Sequence, residues 1–248
     1  MSTSGPASGF VDLHAHYLPG VDDGAPDLET TREMVDAVVG LGFSQLYATP
    51  HQREGLYLPS RQAIDAAFQQ LGEAAGEQSS FTVGLGAENF WDGTFLARVQ
   101  KGEIPCYDRG PAFLFEVPPP LMPAGIEATL FEIRLAGKLP VMAHPERYHA
   151  IQAQLGRAEA LGQTAALVVD LAALDGAHGR PQMKAARELL NLGLAHAVAT
   201  DIHSPDDIPG IAAGMAWIRK HLGAAALQTL LADNPRRIIA GDLPERGR

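Results

Sequence analysis

A single cysteine, Cys106, stands in a chain of 248 residues. No intramolecular disulfide can form, and such usage fits a reducing compartment. No apolar run reaches the roughly 18 residues that a membrane-spanning helix needs, so no membrane span is expected. Residues 1–9 lack the basic-then-apolar layout of a secretion signal and read as a disordered lead, which makes the cytoplasm the expected location. Lysine and arginine number 19 against 29 acidic residues, a net charge of −10, and no basic tract occurs. A nucleic-acid groove would need clustered cations, so no nucleic-acid partner is expected.

What is present is an alternation of two kinds of segment. Strand-like apolar runs fall at 10–14, 44–49, 81–87, 112–117, 139–143, 166–171 and 195–200. Several are apolar throughout, as in Ala166-Leu167-Val168-Val169, which suits strands covered on both faces of a parallel sheet. Amphipathic stretches lie between them. Asp27 is placed to cap a helix over 28–40, in which Met34, Val35, Val38 and Val39 share a face. Ser60 is placed to cap the next, with Ile64, Phe68 and Leu71 in register. Further helices fit 123–137, 150–161, 181–193, 208–221 and 223–232. Seven strand-then-helix units without a linker predict an α/β chain folded as a distorted (β/α)7 TIM-like barrel, a single domain over 10–242 with a tail at 243–248.

Barrels of this kind carry their sites at the C-terminal strand ends. There this chain places imidazoles and carboxylates. His14 and His16 close the first run, two residues apart and so on one side of a strand, and Asp23 follows closely. His51 follows the second run, Glu88 the third, His144 the fifth, and Asp201 and His203 the seventh. Glu116 lies inside the apolar run 113–117, where a carboxylate is costly unless paired or bound to a cation; a structural salt bridge is the alternative. Donors of this mix suit a polynuclear site for divalent metals. Arg147, three residues past His144, suits a bound phosphoryl oxygen, or a salt bridge with a loop carboxylate such as Glu146. His149, His178, His196 and His221 read as surface or structural. Cys106 is not followed six residues later by arginine, as a cysteine-phosphatase loop requires, and reads as inert.

The segments His14-Ala-His-Tyr-Leu-Pro-Gly-Val-Asp-Asp-Gly24, Ala48-Thr-Pro-His51, Gly86-Ala-Glu88, Phe115-Glu116, Ala143-His-Pro-Glu-Arg-Tyr148, Thr200-Asp-Ile-His203 and Asn234-Pro235 together resemble the PHP superfamily (polymerase and histidinol phosphatase). Within it they are most similar to the bacterial protein-tyrosine phosphatases of the CpsB/CapC type, which act on autophosphorylated kinases of capsule and exopolysaccharide export. The resemblance implies three divalent ions, manganese foremost, with iron, cobalt or zinc compatible. It implies one ion on His14, His16, Glu88 and Asp201, a second on His51, Glu88 and His144, and a third on Asp23, Glu116 and His203. Arg147 matches the arginine that contacts phosphate; Arg147, Glu88 and His203 are the implied catalytic residues. The implied reaction is attack of a metal-activated hydroxide on the phosphorus of a phosphotyrosine-bearing protein, the tail of a tyrosine autokinase. An oligomer is compatible with it. The alternatives are a phosphatase of a small monoester such as histidinol phosphate, and a non-catalytic metal-bound module that docks on a kinase. The chain departs from the resemblance twice. The segment Ser204-Pro-Asp-Asp-Ile-Pro-Gly210 has no arginine where the family commonly has one, and the sixth strand ends in Asp170 rather than an amide.

Overall fold

The computed structural model describes residues 9–75 and 80–245. The expected lead and tail lie for the most part outside these residues. Among the described residues nine strand segments, all paired in parallel, carry the sheet: β1 (Phe10–Asp12), β2 (Phe43–Ala48), β3 (His51–Gln52), β4 (Thr82–Leu85), β5 (Glu88–Phe90), β6 (Ala112–Glu116), β7 (Leu139–Ala143), β8 (Ala166–Asp170) and β9 (Ala197–Ala199). They make seven staves, because two of the expected strands are each split. The run expected at 44–49 stops at Ala48, where Pro50 has no N–H for a ladder, and resumes as β3. The run expected at 81–87 stops at Leu85 and resumes as β5, so Glu88 opens a strand instead of following one. Backbone bonds bridge both gaps: Gly86 N–H donates to Ala48 O (2.8 Å) and Glu88 N–H to Pro50 O (3.1 Å).

The order is therefore β1, β2 with β3, β4 with β5, then β6 to β9. The last stave meets the first at a parallel bridge between Ala15 and Ile202. Asp201 N–H donates to His14 O (2.8 Å) and His16 N–H to Ile202 O (3.0 Å), which carries the ring round. The distorted seven-stave barrel read from the sequence is the fold observed.

Helices cover the outside: α1 (Leu28–Gly40), α2 (Arg61–Ala75), α3 (Gly93–Lys101), α4 (Ile126–Leu135), α5 (His149–Ala153), α6 (Gly156–Leu161), α7 (Arg180–Asn191), α8 (Ile208–His221), α9 (Ala224–Gln228) and α10 (Asn234–Ile239). Asp27 caps α1 through Thr30 N–H (2.9 Å), and Ser60 Oγ accepts from Ala63 N–H (3.1 Å) ahead of α2. The helix expected over 150–161 is broken at Gln154, whose backbone is extended. The stretch expected at 223–232 begins as α9 and loosens into a π-helix over Thr229–Asp233. Helix α3 has no counterpart among the expected elements. Phe95 is its one fully buried side chain, with Val99 partly buried one turn on.

Period two in the staves divides the core. Phe113 and Phe115 of β6, Met142 of β7, Leu167 and Val169 of β8 and Val198 of β9 belong to the apolar layer under the helices. Ala112 and Leu114, Val141 and Ala143, Ala166 and Val168, and Ala197 and Ala199 belong to a second cluster, the filling of the barrel. In β6 and β8 the next residues on that inner side are Glu116 and Asp170. The alternation that packs the barrel thus delivers two carboxylates to its mouth.

Candidate metal centre

The first stave runs on past β1 to present His14 and His16, both buried. Their Nε2 atoms lie 3.3 Å apart, and both face Asp201 Oδ1, at 3.1 and 3.5 Å. His16 is oriented from behind: its Nδ1 sits 2.8 Å from Asp22 Oδ2. The same carboxylate accepts from the backbone N–H of His51 (3.1 Å) and, through Oδ1, from that of Gly24 (3.1 Å). This turn needs a glycine. A Cβ on Gly24 would fall on the carbonyl oxygen and Cβ of His16. Gly24→Ala is therefore expected to cost about 2 kcal/mol of stability, checked by urea denaturation; an unchanged midpoint would show that the turn gives way freely.

Glu88 is the hub. It is 1% exposed, yet its two oxygens lie near four imidazoles. Oε1 is 2.9 Å from His144 Nε2 and 3.3 Å from His14 Nε2; Oε2 is 2.8 Å from His51 Nδ1 and 3.6 Å from His16 Nε2. Burial alone would push its carboxyl up, but His14, His144 and His51 hold it well below the usual carboxylate range. Asp201 is likewise held low against its burial, by His14, Arg147 and His16. Glu116 goes the other way. Burial, then the charge of Glu88 beside it, pushes its carboxyl up to about 8.

Two of these residues have uncommon backbones. His144 (φ 32°) and Asp201 (φ 48°) are in the left-handed region, which non-glycine residues seldom occupy and which concentrates at functional sites. In β7 the inward residues are Leu139, Val141 and Ala143, so His144 is out of phase by one; the left-handed turn brings its ring to Glu88. Tyr148 steadies it, with its hydroxyl on Ala143 O (2.9 Å) and 3.4 Å from His144 Nδ1. Burial pulls the pKa of His144 down, aided by the Arg147 charge, and burial and His16 do the same to His203. A neutral imidazole is the form that ligates a metal.

The structure brings together all nine residues singled out as ligands. They form four overlapping groups: His14, His16 and Asp201; His14, Glu88 and His144; His51, Glu88 and Glu116; and His16, Asp23, His51 and His203. Within each, one ligand atom per residue lies within 4.8 Å of the others. These groups divide the residues differently from the partition that the resemblance implies. Glu116 ends β6, whose neighbour β5 opens with Glu88, so it sits beside His51 (3.6 Å) and His144 (3.9 Å). Asp23, on the far side, approaches His51 (3.2 Å) and His203 (3.7 Å) instead.

Donor chemistry and satisfaction both fit divalent cations. His51 Nδ1, Glu88 Oε2 and Glu116 Oε1 are all buried without a hydrogen-bond partner. The 2.8 Å between the first two is close enough for a hydrogen bond but misaligned for one. Buried polar atoms are seldom left so, and these three belong to one ligand group.

Arg147 stands above the cluster, bonded through Nη2 to Asp170 (2.8 Å) and Asp201 (2.5 Å). Beside it opens a cleft of about 320 Å³ lined by Arg147, His178, Asp201, His203, Asp206 and Asp207. A larger cavity, about 710 Å³, lies beside α2 and α3, but it contains none of the nine clustered residues; Cys106 lines it. Sequence reasoning passed over two neighbours of the site. Asp22 was available in the pair Asp22-Asp23, and its complete burial separates it from Asp23, whose side chain is 43% exposed. His178 was set aside as a surface residue; no strand-end position marked it, yet it touches Asp170 and Arg147.

The family described as capsular polysaccharide synthesis, CpsB/CapC, matches residues 10–240. The chain is 29% identical to the tyrosine-protein phosphatase CpsB of Streptococcus pneumoniae over 242 residues, 94% of this chain and 100% of that one. It is 30% identical to the tyrosine-protein phosphatase YwqE of Bacillus subtilis over 197 residues, 79% of this chain and 78% of that one. Among solved structures it is similar to one from the work on YwqE of Bacillus subtilis and CpsB of Streptococcus pneumoniae, described as metal-dependent tyrosine phosphatases. That likeness has a TM-score of 0.85 at 26% identity, over 96% of this chain and 97% of that one. An amidohydrolase from Mycoplasma synoviae, 11% identical with a TM-score of 0.62 over 97% of this chain and 90% of that one, shares the fold alone. The chain belongs to the CpsB/CapC family of capsular polysaccharide synthesis.

Proposed function

We propose that the chain is a metal-dependent protein-tyrosine phosphatase. Residues 10–242 are its catalytic domain, and it works in the cytoplasm on the phosphotyrosine tail of a kinase that controls capsule or exopolysaccharide. The observation that carries this reading is the buried group His51, Glu88 and Glu116, whose unpartnered atoms a cation would satisfy. His14, His16, Asp23, His51, Glu88, Glu116, His144, Asp201 and His203 would hold three divalent ions, manganese foremost. When bound, such ions polarise a phosphoryl oxygen and bring the pKa of coordinated water toward neutrality. Glu88, reached by four imidazoles, is the shared ligand. Asp22 and Tyr148 fix the rings of His16 and His144, and Asp207 accepts from the backbone N–H of His203 (2.8 Å). Arg147 presents a guanidinium to the phosphoryl oxygens at the cleft. A tyrosyl leaving group, with a pKa of about 10, needs less help in departing than a serine alkoxide would.

The test is turnover of a phosphotyrosine peptide by the manganese-loaded protein, set against histidinol phosphate. Preference for the peptide, abolished by chelator, supports the reading. Preference for histidinol phosphate replaces it with a small-molecule phosphatase, and no turnover with any divalent metal replaces it with a binding module. No thiol takes part, so Cys106→Ser is expected to keep kcat/KM within about twofold of the parent; a drop of orders of magnitude would bring Cys106 into the chemistry.

A further inference from the structure

The cleft beside Arg147 holds a second side chain able to carry positive charge, and it belongs to none of the four ligand groups. His178 lies between β8 and α7, in a turn whose glycines, Gly176 (φ 95°) and Gly179 (φ 102°), adopt left-handed backbones. Its Nε2 is 2.5 Å from Asp170 Oδ2, the same oxygen that Arg147 Nη2 reaches at 2.8 Å. The two nitrogens are themselves 3.3 Å apart. Two cationic groups so close repel unless an anion lies against both. Asp170 Oδ2 lies against both and Asp201 Oδ2 against Arg147, and the cleft opens beside them. The segment after Asp201 lines the cleft with His203, Asp206, Asp207 and Gly210, and Asp207 is spent on the backbone N–H groups of His203 and Ser204. Among the described residues lining the cleft, Arg147 is the one arginine or lysine, and of the two histidines His203 belongs to a ligand group whereas His178 does not. The bond to Asp170 also raises the pKa of His178 above the usual histidine value, which favours the charged ring.

We propose that His178, oriented by Asp170, is the second anion-binding group of this cleft and donates from Nδ1 to a phosphoryl oxygen of the substrate beside Arg147. The proposal rests on the phosphatase reading for its substrate, but not for its anion. With Nε2 turned to Asp170, Nδ1 is the donor left over. His178 thereby does for the phosphate what Ser204–Gly210, free of arginine and lysine, does not do.

The experiment uses the full chain loaded with manganese and has two readouts: KM and kcat on a phosphotyrosine peptide, and the dissociation constant of inorganic phosphate by calorimetry. His178→Ala is expected to raise both KM and the phosphate constant about tenfold, with kcat changed less than about threefold, as loss of one charge-assisted hydrogen bond implies. Metal content should stay at the parent level. His178→Lys, which restores the cation, should bring both constants back toward the parent; a residue that merely held Asp170 in place would move the melting temperature and leave phosphate affinity alone. Phosphate affinity within twofold of the parent in His178→Ala overturns the inference. A parent protein that turns over no phosphotyrosine peptide sinks the phosphatase reading, while phosphate binding still decides on His178.

Discussion

Glu88→Gln is expected to lose most bound metal and to lower kcat/KM at least about a thousandfold, roughly 4 kcal/mol of transition-state stabilisation, with the barrel intact. The substitution keeps the shape of the side chain and removes its charge. In the parent the two oxygens face His14, His16, His51 and His144 at 2.8 to 3.6 Å. A glutamine amide would turn an NH2 donor toward two of these rings and offer a single acceptor to the rest. A carboxylate that would serve two ions would then become at best a weak ligand of one. The fold should survive, because β5 is held by its backbone ladder to β3 and β6, and an amide in this position creates no new volume. Elemental analysis, circular dichroism and steady-state kinetics on the same preparation check the claim. Full metal content with parental turnover would remove Glu88 from its proposed role. Glu116→Gln should do less, since Glu116 approaches His51 and His144 at 3.6 and 3.9 Å and shares in one of the ligand groups where Glu88 shares in two.

The positions of these ligands were legible for a mechanical reason. A strand that ends at the barrel mouth must exchange apolar side chains for polar ones there, so a histidine or acid terminating an apolar run marks the mouth. Glu116 and Asp170 are the plainest cases, each the next inward residue of a stave filled by Ala112 and Leu114 or by Ala166 and Val168. What could not be read was how the ends face one another. His144 and Asp201 reach the cluster through left-handed backbones that no side-chain pattern announces. The grouping of Glu116 with His51 depends on β3 and β5 being separate short strands above β2 and β4, and Pro50 hinted at only one of the two breaks. His178 lies in a loop whose position over Asp170 is set by glycine turns, so strand periodicity was silent about it. Helix α3 is nine residues long and its apolar stripe is short, Phe95 and Val99 one turn apart.

Metal affinity is expected to rise steeply with pH through the neutral range and then level off, with protons released as the metal binds. The reason is Glu116. Without a cation, its carboxyl is pushed up to about 8 by burial and by Glu88, so at neutral pH it holds a proton that a ligating oxygen must give up. The sign follows from linkage. The metal-free fold binds this proton more tightly than the unfolded chain does, so its share of stability is fully present below the ordinary glutamate value of 4.5 and is lost as pH climbs to about 8. The metal-bound fold has no such proton, so each unit of pH below about 8 costs about tenfold in affinity for each proton displaced. His51 acts in the same direction: burial opposes its charge, Glu88 overcomes that opposition, and its raised pKa adds a second proton to be lost on ligation. The melting temperature gained on adding manganese should therefore grow between about pH 6 and 8 and flatten above. His16, raised well above the usual histidine value by Asp201 and Asp22 against its burial, adds a third, so calorimetry near neutral pH in buffers of different ionisation enthalpy should count about two to three protons released. Affinity that ignores pH, or a count of zero, would overturn the claim: these groups would then either keep their protons and not ligate, or hold none before the metal binds.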